Sequence, residues 1–141
     1  MVNYFKYLTL IITIFSIGGA ALIIKESGEN YLEAMLVLEN KNGYIRSVDI
    51  AKMLNVSKPS VSKALRVLAS ANYIQQPISG KILLTAAGRE KAAEVLDRHN
   101  TIADYLTKVL GTPEDISLID ACRIEHVISE ITFQKIKEAV K

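Results

Sequence analysis

"SVDIAKMLNVSKPSVSKALRVL", residues 47–68, decides how this chain is read. Apolar and small residues stand at helical spacing on both sides of "NVS" at 55–57: Ile50, Ala51 and Leu54 before it, Val61, Ala64 and Leu65 after it. The stretch predicts a short helix over 47–54 with Ser47 as N-cap, a tight turn, and a second helix over 58–71 capped by Ser57. Pro59 falls in the first turn of that helix, where a missing N–H costs little. The shared apolar face braces the two helices. It leaves Ser57, Lys58, Pro59, Ser60, Ser62 and Lys63 free to enter a DNA major groove.

The flanks fit that reading. "ENYLEAMLVLENKNG", 29–43, is an amphipathic pattern stopped by Gly43. "YIQQPISGKILLT", 73–85, holds two short β-type runs around residues 77–80, a hairpin that carries Lys81 toward the DNA backbone. Helix, turn, helix, hairpin is the order of a winged helix-turn-helix. Beyond it, 86–111 predicts one long helix ending at Gly111, and 113–129 and 130–141 hold two more. The expected fold is mainly α with a small β-hairpin: a winged helix-turn-helix over 25–88, then a helical dimerisation and metal-binding region over 89–141.

Charge follows the same division. The net charge is +2, but residues 41–91 carry nine Lys/Arg against Asp49 and Glu90, while both flanks are acidic. A basic block of this kind suits a polyanion, although a solvated lysine-rich surface has the same composition. Serines and Pro59 make few discriminating base contacts, so phosphates and DNA shape are expected to carry much of the affinity.

Cys122 is the only cysteine, which excludes an intramolecular disulfide and fits a reducing, cytoplasmic setting. It lies in "DACRIEHVIS", 120–129, where Cys122, Glu125 and His126 are i, i+3 and i+4 on one helix face. All three are ligand types for a divalent transition metal. His99, Glu33 and Asn30 offer further donors from two other helices. Two readings are open on the residues alone: a metal site, or a packed polar face. A Cys–His catalytic pair fits less well, because no stretch suggests a substrate cleft or an oxyanion device, and no enzymatic role is expected.

"LTLIITIFSIGGAALII", 8–24, is an uncharged apolar run between Lys6 and Lys25. At 17 residues it is at the lower limit for a membrane span. A secretory signal ending near Gly19 and Ala21 is a second reading. The third is a misplaced start: residues 17–20, Ile-Gly-Gly-Ala, are what a frame yields across a ribosome-binding sequence, with translation beginning near Leu22. The leader, 1–24, is therefore set outside the fold, and a membrane partner is expected only if residues 5–24 are retained.

"ENYLEAMLVLE", the 47–68 stretch, "LLTAAGREKA", "DRHNTIADYL" and "DACRIEHVIS" together resemble the diphtheria toxin repressor family of metal-dependent transcriptional regulators (DtxR/MntR-like), over about residues 25–141. The resemblance implies a homodimer and a Fe²⁺ or Mn²⁺ co-repressor. It also implies binding to palindromic operators in double-stranded DNA, at genes of metal homeostasis. It places the metal ligands on Asn30, Glu33, His99, Cys122, Glu125 and His126. Asn30 departs from the methionine or aspartate usual there, and only its carbonyl oxygen can ligate. Cys122 looks like the iron-responsive branch and Glu33 like the manganese-responsive one. Ala103 and Leu118 stand where an ancillary site needs a carboxylate and a histidine, and no SH3-like domain is expected after Lys141. Two alternatives remain from the residues: a winged-helix regulator of a small organic ligand, and a membrane-tethered regulator.

Overall fold

A computed structural model describes residues 24–141, and their side chains from Gly28 onward. The leader, with its competing readings as anchor, signal or misplaced start, lies outside the described residues. Among the described residues no helix is long and apolar enough to cross a membrane. The chain divides into two compact units, the first ending at Ala93 and the second beginning at Glu94.

The described part of the first unit opens with α1 (Ile24–Asn42). Every side chain from Asn30 to Leu38 is buried, and Gly43 ends the helix in a left-handed conformation, φ 78°. α2 (Ser47–Leu54) and α3 (Lys58–Ser70) follow, and α2 packs against both α1 and α3. Ile50, Met53 and Leu54 of α2 meet Val61, Leu65 and Leu68 of α3 in the core. Asn55 makes the turn between them at φ 51°, a conformation that asparagine tolerates better than most residues. Ser57 caps α3 as expected, its hydroxyl accepting from the Ser60 N–H at 3.2 Å. The expected cap at Ser47 is corrected: Ser47 is already helical, and the N-cap is the extended Arg46. Arg46 supports the helix start from outside, with Nε donating to Asp49 at 2.9 Å.

The wing is small. β1 (Ile74–Gln75) and β2 (Leu83–Leu84) pair antiparallel, and Ile45 adds an isolated bridge to Ile82. Ile45, Ile74, Ile82 and Leu84 are buried, so packing holds a hairpin too short to stand alone. Thr85 then opens α4 (Ala86–Asp104), its hydroxyl accepting from the Gly88 N–H at 3.0 Å. Arg89 near the start of α4 grips Glu39 of α1 through both guanidinium amines, with Nη2–Oε1 at 2.9 Å.

That grip sets a pH dependence. Hydrogen bonding to Arg89 holds the Glu39 carboxyl below the ordinary glutamate range, against the opposing effect of partial burial. A depressed carboxyl contributes stability that is complete above the unfolded-state pKa and lost as pH falls through the folded one. The pair is partly exposed, so about 1 kcal/mol is the ceiling. Arg89→Gln should therefore lower denaturation stability near pH 7. The gap from the parent should narrow as pH falls through the acidic range in which Glu39 protonates. A gap independent of pH would remove Glu39 as its source.

The second unit carries the rest of α4. Tyr105–Val109 continue it as a π-helical turn, in which the Leu110 N–H reaches back to the Tyr105 carbonyl at 3.2 Å. One unbroken helix to Gly111 was the expectation; the chain instead widens after Asp104, and both following helices pack on the widened turn. Gly111, at φ 71°, ends it. α5 (Glu114–Ile124) and α6 (Glu130–Ala139) close the unit. Its core is Ile102, Ala103, Ala121 and Phe133. α6 is clipped to α4 by Arg98–Glu130 and Lys137–Asp97, each at 3.1 Å, with both cations lying over the Phe133 ring.

Candidate metal centre and nucleic-acid interface

Within the second unit, α4 supplies His99 and the end of α5 supplies Cys122 and Glu125. All three are buried, and one ligand atom from each lies within 4.8 Å of the others. Cys122 is in the last turn of α5. Glu125 is that helix's C-cap and keeps helical dihedrals, so its N–H still bonds the Ala121 carbonyl at 2.9 Å. The helix lies within the expected 113–129 segment and ends at Ile124, and the i, i+3 relation of Cys122 and Glu125 survives. Glu125 Oε2 stands 2.8 Å from Nδ1 of His99, and its Oε1 stands 3.1 Å from Nε2 of His126. His126 thus meets the group through Glu125, from the turn beyond the helix.

The donor set suits a divalent transition ion. It combines an imidazole nitrogen, a sulfur that ligates as thiolate and a carboxylate, all shielded from solvent. Ligand bonds of about 2.0–2.3 Å put two donors about 3 Å apart at a right angle and about 4–4.5 Å apart in line. The His99–Glu125 separation of 2.8 Å already has the first value, and the 4.8 Å limit on the trio is a few tenths of an ångström from the second. Glu33 and Asn30 are buried on α1, in the first unit.

The expected DNA-facing residues are all exposed, and three of them, Pro59, Ser62 and Lys81, line one cleft. Ser57, Lys58, Pro59, Ser60, Ser62 and Lys63 are exposed along the start of α3, and Lys81 is exposed on the hairpin. Two of the hydroxyls are engaged with each other, Ser57 Oγ to Ser60 Oγ at 2.8 Å, so they steady the helix start. Arg66 is also exposed one turn beyond Ser62 and lines a cleft beside the hairpin. It lies outside the expected DNA-facing set. The signal was present as the i+4 and i+3 spacing from Ser62 and Lys63.

Residues 24–77 match the family described as iron dependent repressor, N-terminal DNA binding domain. Residues 85–141 match iron dependent repressor, metal binding and dimerisation domain. The transcriptional regulator MntR of Escherichia coli O6:H1 is 36% identical over 108 residues, covering 77% of this chain and 69% of that protein. The chain belongs to the iron-dependent repressor family. An uncharacterized HTH-type transcriptional regulator of Methanocaldococcus jannaschii is 33% identical over 116 residues, covering 81% of this chain and 92% of that protein. Among solved structures, IdeR of T. acidophilum superposes with a TM-score of 0.67 at 32% identity, over 79% of this chain and 52% of that one. A manganese-dependent transcriptional repressor in complex with manganese has a TM-score of 0.74 at 23% identity, over 80% and 52%, and bears on the fold alone. The chain spans about half the length of these solved structures. As an iron-dependent repressor family member it is a DNA-binding transcriptional regulator with a metal-binding and dimerisation domain. The family is one of regulators.

Proposed function

We propose that this chain is a cytoplasmic, metal-responsive repressor in which Fe²⁺ or Mn²⁺ is the co-repressor of a homodimer that binds palindromic operators at metal homeostasis genes. The observation that carries this is the buried trio of His99, Cys122 and Glu125 inside the segment matched to the metal-binding domain. When bound, the ion supplies positive charge that offsets the carboxylate and thiolate and fixes the segments bearing them. The protein's part is to hold that set ready. His99 presents its ring from α4, Cys122 adds a soft donor, and Glu125 holds the His99 ring through Oε2 while its Oε1 lies beside His126. Glu33, Asn30 and His126 belong to the proposed ligand set on the strength of the resemblance and the burial of Glu33 and Asn30. Ser57, Lys58, Pro59, Ser60, Ser62, Lys63 and Lys81 are the proposed DNA-facing residues.

The deciding experiment is operator titration in parallel with Mn²⁺, anaerobic Fe²⁺, Zn²⁺ and chelator. A metal that raises operator affinity about a hundredfold supplies about 2.7 kcal/mol of coupling, within the ordinary allosteric range. Lys58→Ala should weaken that binding and leave metal affinity unchanged. Equal operator affinity in metal and in chelator would overturn the reading.

A further inference from the structure

α3 and the hairpin enclose a cleft of about 540 Å³. Ser47, Ser62, Arg66, Gln76 and Lys81 line it over an apolar floor that includes Leu65, and no acidic residue touches it. A second hollow of about 270 Å³ lies against the start of α3, bounded by Lys58 and sharing Ser47 and Ser62 with the first. Both hollows border α3: Arg66 and Lys81 line the first and Lys58 the second, and no carboxylate lines either.

Within the first unit Arg46 pairs with Asp49 and Arg89 with Glu39. Among the described residues Arg66 and Lys81 take part in no ion pair, although both are exposed and a lysine or arginine normally finds a carboxylate where one is near. Two cations around an acid-free cleft repel each other until an anion enters. A guanidinium from α3 and an ammonium from the hairpin, lining one cleft together with serine and glutamine side chains, match the oxygens of a phosphodiester. The cleft is continuous with the proposed DNA-facing residues, since Ser62, Pro59 and Lys81 belong to both. That continuity selects a backbone phosphate of duplex DNA over a free anion.

Resting on the DNA-binding reading above, we propose that Arg66 is a positioning residue: with Lys81 it clamps one backbone phosphate between α3 and the wing. The clamp sets how far the helix turns into the groove and carries no sequence information of its own.

The test compares the full chain with Arg66→Gln and Arg66→Lys, in saturating metal, on an operator duplex and on a scrambled duplex across a salt series. Arg66→Gln should weaken binding on the order of tenfold on both duplexes, the loss of one charge-assisted contact. It should also reduce the salt slope by about one. Arg66→Lys, which keeps the charge, should restore the slope. Metal affinity and melting temperature should stay at parental values in both variants, because the side chain is exposed. Parental affinity and slope in Arg66→Gln would overturn the clamp while the DNA-binding reading stands. So would a loss confined to the operator duplex, which marks base reading, or an Arg66→Lys slope as low as that of the glutamine variant. A parent chain that binds neither duplex would bring down the DNA-binding reading itself.

Discussion

Glu125→Gln should lower metal affinity by on the order of 100-fold, about 2.7 kcal/mol, and abolish most of the metal-dependent gain in operator binding. The side chain is buried, and its two oxygens face two different imidazoles, at 2.8 Å from His99 and 3.1 Å from His126. Glutamine keeps the shape and retains a polar group within hydrogen-bond distance of the His99 ring, so the fold and the dimer should survive. What it loses is the negative charge and one anionic donor. Replacing groups that merely orient a ligand commonly costs ten- to a hundredfold, and a ligand itself costs at least the upper end of that range. Isothermal titration with Mn²⁺ measures the metal term, operator anisotropy the DNA term, and light scattering the dimer. The two readings of this cluster separate here. If Glu125 only stands between His99 and His126 in a packed polar face, the variant changes stability and leaves metal-dependent DNA binding intact. Unchanged metal affinity in a folded Glu125→Gln dimer would therefore remove the trio as the metal centre.

The sequence made the first unit readable because its signals are local. Ser57 before Lys58-Pro59, Asn55 in the turn, and Gly43 and Gly80 at φ 78° and 76° are each explained by their immediate neighbours. Ser47 misled because serine is a good cap by type. The position it needed is taken by Arg46, whose tie to Asp49 is a side-chain contact that capping preference does not anticipate. The π-helical turn at Tyr105–Val109 left no mark either, since apolar residues at Ile102, Leu106 and Leu110 fit an α-helix equally well. In the candidate metal site, Cys122 and Glu125 were legible as i, i+3. His99 is 26 positions from Glu125, and only tertiary packing or a family resemblance brings such residues to one point. The early end of α5 at Ile124 was hidden for a similar reason: no Gly or Pro punctuates the chain before Ser129, which belongs to the next helix as its cap.

Gly88→Ala should destabilise the first unit by about 3 kcal/mol or more, against every expectation from helix propensity. Gly88 is in the first turn of α4, and alanine in a helix interior is ordinarily worth about 1 kcal/mol more than glycine. Here a β-carbon would meet the Tyr73 carbonyl oxygen at 1.9 Å and its carbon at 2.9 Å. The obstacle is backbone, so no side-chain rotation relieves it. Tyr73 is itself fixed: its carbonyl accepts from the Thr85 N–H at 3.0 Å, and the Thr85 hydroxyl donates to the neighbouring Asn72 carbonyl at 2.7 Å. Asn72 holds a left-handed conformation at φ 62° to make that approach. Moving α4 away by more than an ångström to admit the methyl breaks the Thr85 bonds that join the wing to the helix. The steric cost and the lost bonds exceed the propensity gain, so the sign is negative. Overpacking alone costs about 1–3 kcal/mol, and each lost hydrogen bond adds about 1 kcal/mol. Thermal unfolding should show a melting temperature lower by roughly 10 °C. Gly43→Ala is the contrast: its β-carbon meets nothing within 4 Å, so that variant carries only the strain of φ 78°. A Gly88→Ala chain as stable as its parent would mean that the end of the α3–β1 turn and the start of α4 do not approach as closely as this packing requires.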